Sequence, residues 1–433
     1  MSTNRGNKSF VQFMRHRIGG VKRSRISLVI NIAVWSMGLS FAALIVASSV
    51  IRGFKEEISK KIFDFWGHIH ITSSNIYQNF ESDPIRLDRS LMNEIASTTQ
   101  YQAEIIDDRG ELVKGDTENV RVERVTPFIT LPVLMESSGE MEGIFLKALE
   151  GSAAWKKDYQ PYLLQGSFDS LQSNPEALIV SETTSRRLGL SKGDLCLVHW
   201  ISRGKQKTKR LRIQGIYKTG LIEYDKSFAL SSMLLLQDLQ SWDQEQITGY
   251  EISIDDPNKA ESFNNYIFYQ ILPLDWFSSS VIQRFRNIFQ WLQLQGQNEI
   301  VLIFLLSVVV LSNLGTIFLI LIIDRIKMIG VLKALGARSS SVRNIFIHLG
   351  LRVILKSLLI GNTIGLSICL IQKYFHVLKL SEDDYYLSYA PVQINLSYLL
   401  LMNVGAVIVS LLFMLVPSLF IARVRPLRTI RFD

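Results

Sequence analysis

Four apolar segments, each long enough to cross a membrane, are distributed unevenly along this chain of 433 residues. The first covers residues 26–51, and about 245 residues of soluble-looking sequence separate it from the others. The remaining three cover residues 300–323, 345–371 and 396–422. A helix rises about 1.5 Å per residue and the hydrocarbon core is about 30 Å thick, so each segment spans it with some tilt. The sequence therefore predicts a polytopic membrane protein with one large extramembrane domain after its first span.

Lysine and arginine residues predict which side of the membrane that domain occupies. Residues 1–25 carry seven of them, residues 324–344 carry five, and residues 423–433 carry four. The 372–395 connection carries only two, next to the acidic run 382–384. Because cytoplasmic loops carry an excess of positive charge, both termini are expected in the cytoplasm and the large domain outside.

These patterns divide the chain into predicted segments. They are a cytoplasmic N-terminal segment (1–25), a first transmembrane helix (26–51), an α+β domain on the outer side (52–298), a second helix (299–323), a cytoplasmic loop (324–344), a third helix (345–371), an outer loop (372–395), a fourth helix (396–422) and a cytoplasmic tail (423–433). The first segment is too long for a signal-peptide core and no small-residue cleavage pattern follows it, so we expect it to remain as an anchor.

Residues 52–298 mix short alternating apolar runs with helical patterns, which is typical of an α+β domain. Strands are predicted at 67–72, 177–180, 195–201, 211–217 and 249–254. Helices are predicted at 52–65, 182–188, 233–242, 259–271 and 279–295, and the last is expected to run directly into the second span.

Several classes of function find no support in the sequence. The net charge of +8 comes largely from the excess of lysine and arginine in the predicted cytoplasmic segments, so no nucleic-acid partner is expected. The two cysteines, Cys196 and Cys369, fall in different predicted compartments and are not expected to pair. An ATP-binding loop of the form GxxxxGK[ST] is absent, so nucleotide-driven work requires another chain. No catalytic residues are expected from spacing, although a site assembled in space stays open.

Two histidines of a predicted strand are candidates for a metal site. His68 and His70 alternate, which would place them on one side. No cysteine or carboxylate stands beside them at ligand spacing, so the sequence favours solvent-facing histidines and predicts no metal centre.

The most informative short segment is DRIKMIGVLKALGA at 324–337. Its apolar residues recur every three positions while the lysines fall elsewhere, which predicts a short amphipathic cytoplasmic helix closed by Gly336. This helix either lies on the membrane surface or docks as a coupling helix in a groove of an ATPase. The candidate coupling residues are Lys327, Ile329, Gly330, Val331, Leu332, Lys333, Leu335 and Gly336.

The order of several short motifs makes the chain recognisable. Gly53 and Phe54 after the first span, segment 324–337, and Pro417 followed by VRPLRTIRFD at 424–433 resemble the FtsX/MacB-like family of ABC permeases. Within that family the chain resembles the lipoprotein-releasing permeases of the LolC/LolE type over nearly its whole length. The motifs that fit this subgroup are VTPFI at 125–129, LGLSKGD at 188–194, IQGIYKTG at 213–220 and DKSFALS at 225–231.

Two departures accompany the resemblance. Met328 stands where the coupling segment of the family commonly has glutamate. The loop 202–209 (SRGKQKTK) is short, basic and free of proline, unlike the proline-rich hook with which one paralogue recruits a periplasmic chaperone.

The resemblance implies an α-helical membrane protein with four transmembrane helices in a 1+3 arrangement and a large periplasmic α+β domain between the first two. It implies a permease subunit of the inner membrane that extracts acylated lipoproteins and passes them to a periplasmic chaperone for outer-membrane sorting. A partner ABC ATPase would bind ATP and Mg, with no cofactor on this chain. A second permease, identical or paralogous, would complete the transporter.

The resemblance also implies a cavity for the lipid anchor between the first and second spans. Candidate lining residues are Leu44, Ala47, Ser48, Ile51, Asn313 and Thr316. For Asn313 the sequence favours a hydrogen bond between helices over a contact with the ligand, and plain packing is the alternative for the first-span face. A basic stripe of His348, Arg352 and Lys356 favours membrane-lipid binding, with an ATPase contact as the alternative.

Three rival functions share parts of this pattern. A MacB-like efflux permease has the same architecture, but its known form carries a fused ATPase domain. An FtsX-like regulator of cell-wall hydrolases usually has a much smaller outer domain. A sensor paired with a histidine kinase typically has more spans.

Overall fold

The computed structural model describes residues 25–74, 83–106, 112–151, 159–202 and 204–423. The predicted N-terminal segment up to residue 24 and the motif at 424–433 lie outside the described residues. Two compact units make up the chain. The helical unit comprises Met1–Glu56, Leu292–Lys379 and Tyr389–Asp433, and the α+β unit comprises Glu57–Trp291 and Leu380–Ser388.

The helices of the described residues are, in chain order, α1 (Arg25–Trp66), α2 (Arg89–Ser97), α3 (Ser170–Ser173), α4 (Glu182–Arg187), α5 (Ile222–Ser227), α6 (Met233–Gln240), α7 (Ala260–Tyr266), α8 (Val281–Arg284), α9 (Arg286–Asp324), α10 (Ile326–Ala334), α11 (Ser339–Phe375), α12 (Glu382–Tyr385) and α13 (Leu396–Arg423). Short 3-10 turns lie at Gln160–Tyr162 and Pro257–Lys259, and a π-helical turn lies at Ile267–Ile271.

The strands are β1 (Ile69–Ser73), β2 (Ile85–Arg86), β3 (Gln100–Ile106), β4 (Leu112–Asn119), β5 (Val122–Ser137), β6 (Glu140–Leu149), β7 (Leu163–Gln165), β8 (Ala177–Ser181), β9 (Leu195–Ser202), β10 (Lys205–Tyr217), β11 (Phe228–Ser231), β12 (Gln246–Ile247), β13 (Gly249–Ile254) and β14 (Trp276–Ser280).

Four helices in the described part of the chain are long and apolar enough to cross a membrane. Their candidate spans are Ile30–Trp66, Arg286–Asp324, Ser339–Phe375 and Leu396–Leu415. Helices α1 and α9 contain 42 and 39 residues, more than the hydrocarbon core requires. The prediction that helix continues after residue 51 is confirmed, because α1 runs to Trp66.

Close backbone packing joins α1 to α11 within the helical unit. A Cβ atom added at Gly361 would lie 2.5 Å from Cβ of Phe41 and 2.8 Å from the carbonyl oxygen of Gly38. A Cβ atom at Gly365 would lie 3.2 Å from the carbonyl oxygen of Ala42. Small residues let membrane helices approach closely, and the contacts that result replace the hydrophobic driving force that lipid does not supply.

A mixed ten-stranded sheet forms the centre of the α+β unit. Its order is β14-β1-β13-β5-β6-β11-β8-β10-β7, and β9 pairs with both β10 and β5. The β6–β11 and β8–β10 pairs are parallel, and the other pairs of this sheet are antiparallel. The long strand β5 holds the sheet together because its first half pairs with β13 and its second half with β6.

The β5–β6 hairpin follows from its turn residues. Ser137 pairs with Glu140, which leaves a two-residue loop of Ser138 and Gly139. Both loop residues have positive φ, 52° and 87°, as a type I′ turn requires. The turn therefore fixes the register of the longest strand pair in the sheet.

Most predicted strands of the α+β unit are confirmed within two residues, and 249–254 is reproduced as β13. Two predictions are wrong in part. Residues 279 and 280 end strand β14 instead of starting a helix, and Phe285 separates α8 from α9. The 202–209 loop is a tight hairpin instead, because Lys205 pairs with Ser202 and Lys209 with Val198.

The α+β unit also includes Leu380–Ser388, which the sequence gives only as part of an outer loop. Lys218 Nζ lies 2.7 Å from a Glu382 carboxylate oxygen, and Lys61 Nζ donates to the Tyr386 carbonyl oxygen at 3.0 Å. Glu382 is therefore an ion-pair partner and not simply a solvated acidic side chain.

Candidate functional site

An apolar cavity of about 330 Å³ lies between three helices of the helical unit. Helix α1 contributes Phe41 and Leu44, α9 contributes Leu306 and Val310, and α13 contributes Leu401. The remaining lining residues are apolar or small, apart from Tyr398 at the start of α13. Such a space accepts hydrocarbon and offers few hydrogen-bond partners to water.

The first-span residues predicted from the sequence lie together in the structure. Leu44 lines the cavity, and Ala47, Ser48 and Ile51 follow it on the same helix face. These four residues also line a narrow gap against α9 that has no room for a water molecule. The face thus packs against the second span over most of its length and opens into the cavity at Leu44.

The two polar second-span candidates lie elsewhere on α9. Asn313 Nδ2 donates to Ser36 Oγ on α1 at 3.1 Å, and Thr316 Oγ1 donates to the Ser312 carbonyl oxygen at 2.9 Å. Neither residue lines the cavity or the narrow gap. The geometry therefore gives Asn313 a hydrogen bond between helices, which is the interpretation that the sequence favours.

A polar cluster adjoins the cavity and was not anticipated from the sequence. Glu299 Oε1 accepts hydrogen bonds from Ser48 Oγ at 2.5 Å, Arg52 Nε at 3.0 Å and Tyr398 Oη at 3.0 Å. The Arg52 guanidinium carbon lies 3.2 Å from the centroid of the Tyr398 ring. A sequence signal for this cluster exists in retrospect, because Arg52 ends the first apolar run and Glu299 precedes the second.

The predicted coupling segment forms helix α10, but its buried face is not the face that a partner would meet. Ile329, Gly330 and Leu332 are buried, and Ile329 and Leu332 belong to the hydrophobic core of the helical unit with Phe346. Lys327, Val331, Ala334, Leu335 and Gly336 are exposed, and Lys333 is half-buried. We name the exposed set Lys327, Val331, Ala334 and Leu335 the α10 outer face.

His68 and His70 in the α+β unit are buried, so the expectation that these two side chains face solvent is wrong. His68 accepts a hydrogen bond from the Ile254 amide at 3.2 Å, and its ring stacks on Phe63. His70 Nε2 lies 2.6 Å from the Trp66 carbonyl oxygen and 3.4 Å from Glu251. Among the described residues, no three His, Cys, Asp or Glu side chains come together as metal ligands.

His70 adjoins a buried ion pair. Lys147 Nζ lies 2.7 Å from Glu251 Oε1, and both side chains are almost completely excluded from solvent. Lys147 also donates to the Phe65 carbonyl oxygen at 2.5 Å and to Tyr159 Oη at 3.1 Å. Three acceptors around one buried ammonium group indicate a structural role, because each satisfied contact offsets part of the desolvation cost.

Comparisons with known proteins agree on one family. The family of FtsX-like permease C-terminal domains matches residues 300–426. The lipoprotein-releasing system transmembrane protein LolE of Haemophilus influenzae is 22% identical over 433 residues, covering 97% of this chain and 98% of that protein. The protein of the same system named LolC in Neisseria meningitidis is 20% identical over 428 residues, covering 94% and 95%.

The chain is a permease of the LolC/LolE type. The near-complete coverage in both directions decides this, because it includes the α+β unit as well as the helices. The extracellular domain of the noncanonic ABC-type transporter YknZ from Gram-positive bacteria matches 49% of this permease and 100% of that chain, with 10% identity and a TM-score of 0.30.

Proposed function

We propose that this permease is the membrane subunit of an ABC transporter that extracts lipoproteins from the inner membrane and passes them to a periplasmic carrier. The apolar cavity between α1, α9 and α13 is the observation that carries this proposal. The curated relatives are named as proteins of lipoprotein-releasing systems, which supports the same cargo for this chain. The other partners of the proposed transporter are an ATPase that binds ATP and Mg and a second permease.

The energetics of the cargo explain why a cavity and an acceptor are both needed. Each buried CH2 group contributes about 0.8 kcal/mol, and an acylated anchor contains dozens of them. Water cannot receive such an anchor, so the cavity must shield it until a carrier with an apolar pocket takes over. A volume of about 330 Å³ is too small for several acyl chains, and we propose that a second permease completes the site.

The proposed membrane arrangement has one span before the α+β unit and three after it, with that unit in the periplasm. The distribution of lysine and arginine supports this orientation. Single cysteines at Lys205 and Ser339, both exposed, test it in a background without Cys196 and Cys369. An impermeant thiol reagent should label the Lys205→Cys variant in spheroplasts and leave the Ser339→Cys variant unlabelled. The reverse result would invert the topology.

Release itself is tested with the full transporter in proteoliposomes that contain an acylated lipoprotein. Photo-crosslinking residues at Leu44 and Leu401 should capture the lipoprotein without ATP and lose it when ATP and a soluble carrier are added. Leu359 on α11 is the control, because it is 69% exposed and does not line the cavity. Equal crosslinking at all three positions would mean general membrane contact and would contradict the proposal.

A further inference from the structure

A single carboxylate oxygen joins three helices at the border of the cavity. Glu299 Oε1 on α9 accepts hydrogen bonds from Ser48 and Arg52 on α1 and from Tyr398 on α13. Tyr398 also lines the cavity, so this polar cluster and the apolar space share a wall. We call Ser48, Arg52, Glu299 and Tyr398 the Glu299 cluster.

Arg52 keeps unused donors within this cluster. Its Nε atom binds Glu299, and its guanidinium plane contacts the Tyr398 ring. In the described part of the chain, the two terminal nitrogens of Arg52 have no hydrogen-bond acceptor, which leaves four N–H groups. The side chain is 36% exposed, whereas Glu299 is 11% exposed. The cluster thus holds one arginine in a fixed orientation with its donor edge accessible.

We propose that Arg52, positioned by Glu299 and Tyr398, binds the polar head of the lipid anchor while an acyl chain occupies the cavity. The acceptors are the ester and amide carbonyl oxygens that join acyl chains to a lipoprotein's terminal cysteine. The guanidinium fork matches paired carbonyl acceptors, and its hydrogen bonds are charge-assisted. This inference rests on the proposed function and adds the residue that recognises the head of the cargo.

The charge of the cluster favours this ligand over a phospholipid. The positive charge of Arg52 is already balanced by Glu299 at 3.0 Å, so the cluster is close to neutral. A phosphate would face the Glu299 carboxylate as well as the guanidinium, whereas neutral carbonyl groups meet no such repulsion. The cavity next to Tyr398 is lined with apolar side chains, which suit the acyl chain attached to such a carbonyl head group.

The test uses the complete transporter with its ATPase, purified in detergent, and two labelled probes. The probes are a tripalmitoylated cysteine lipopeptide and phosphatidylglycerol. The Arg52→Gln variant should bind the lipopeptide about tenfold more weakly or worse, because it loses charge-assisted hydrogen bonds. The Lys55→Gln control removes the same charge from an exposed position on the same helix and should bind as wild type does.

Each remaining outcome decides the inference. Weaker phosphatidylglycerol binding with unchanged lipopeptide binding would assign Arg52 to membrane lipid and overturn the proposal. If the Arg52→Gln variant binds both probes as wild type does but has a lower midpoint of thermal unfolding, the Glu299 cluster only stabilises the packing of the three helices. That result would overturn the proposal. If Arg52→Gln fails to assemble, Arg52→Lys keeps the charge beside Glu299 but loses the fork, and weaker lipopeptide binding is again expected.

The same assay separates this inference from the proposed function. The Leu401→Trp variant places a larger side chain on the cavity wall, which Arg52 does not line. If it abolishes lipopeptide binding while Arg52→Gln does not, the proposed function stands and head recognition by Arg52 is wrong. If wild type binds no lipopeptide, the proposed function itself fails.

Discussion

Lys147 Nζ lies 2.7 Å from Glu251 Oε1 in the interior of the α+β unit, where both side chains are excluded from water. Burial by itself raises the pKa of Glu251, but the Lys147 charge and the His70 hydrogen bond lower it to about 2. The pair joins two strands of the central sheet, because Lys147 is on β6 and Glu251 is on β13.

The first prediction concerns that pair. Lys147→Met should destabilise the protein by about 3–5 kcal/mol, because it removes the ammonium group that balances the buried Glu251 charge. Lys147→Met combined with Glu251→Leu should recover most of the loss. Denaturation of the full chain in detergent, followed by tryptophan fluorescence, measures both variants. A double variant as unstable as the single one would contradict this account.

The second prediction concerns acid stability. Burial lowers the pKa of His68 to about 4, whereas an unfolded histidine titrates near about 6.5. The folded state therefore binds fewer protons between these values, and stability should fall as the pH decreases from 6.5 to 4. The loss at pH 4 should be on the order of 3 kcal/mol. His68→Asn should flatten this part of the stability profile, and an unchanged slope would exclude His68 as its source.

The third prediction concerns the packing of α1 against α11. Gly361→Ala should destabilise the helical unit by about 1–3 kcal/mol, since the new methyl group meets Phe41 and the backbone of Gly38. Gly296→Ala is the matched control in α9, where nothing lies within 4 Å. It should be neutral or stabilising by up to about 1 kcal/mol, because alanine is the better helix former. Thermal unfolding in detergent compares the two, and a tolerated Gly361→Ala would refute close packing here.

The fourth prediction concerns the α10 outer face. Val331→Asp or Leu335→Asp should reduce copurification of the ATPase at least about tenfold, because a carboxylate would be buried in an apolar groove. Both side chains are exposed in the chain itself, at 49% and 78%, so folding should be unaffected. Ser340→Asp adds the same charge at an exposed position outside α10 and should be neutral.

Leu332→Asp distinguishes a coupling role from a folding role at the same helix. Leu332 is 5% exposed and packs in the core of the helical unit, so this variant should lower stability regardless of any partner. Full ATPase recovery with Val331→Asp and Leu335→Asp would leave α10 as a helix on the membrane surface.

The sequence by itself determined the elements whose signals are local. Runs of apolar residues give the four candidate spans, since a helix in lipid satisfies its backbone groups within a single segment. Alternating polarity gives strands such as β13, because side chains of a strand point to opposite faces. The ordered motifs along the chain identify the LolC/LolE type without any contact being known.

Tertiary structure decided which charged and polar side chains meet. Glu299 and Arg52 are 247 residues apart in sequence. Lys147 on β6 and Glu251 on β13 lie on strands that do not pair with each other, because β5 lies between them in the sheet. No periodicity encodes such pairs, because each partner alone reads as an ordinary solvated charge. The same limit explains α10: its spacing predicts an apolar face, but only packing against Phe346 shows that this face is internal. Local sequence patterns determine where helices and strands form. Which side chains remain exposed for a partner depends on which ones lose their contact with water when these elements pack together.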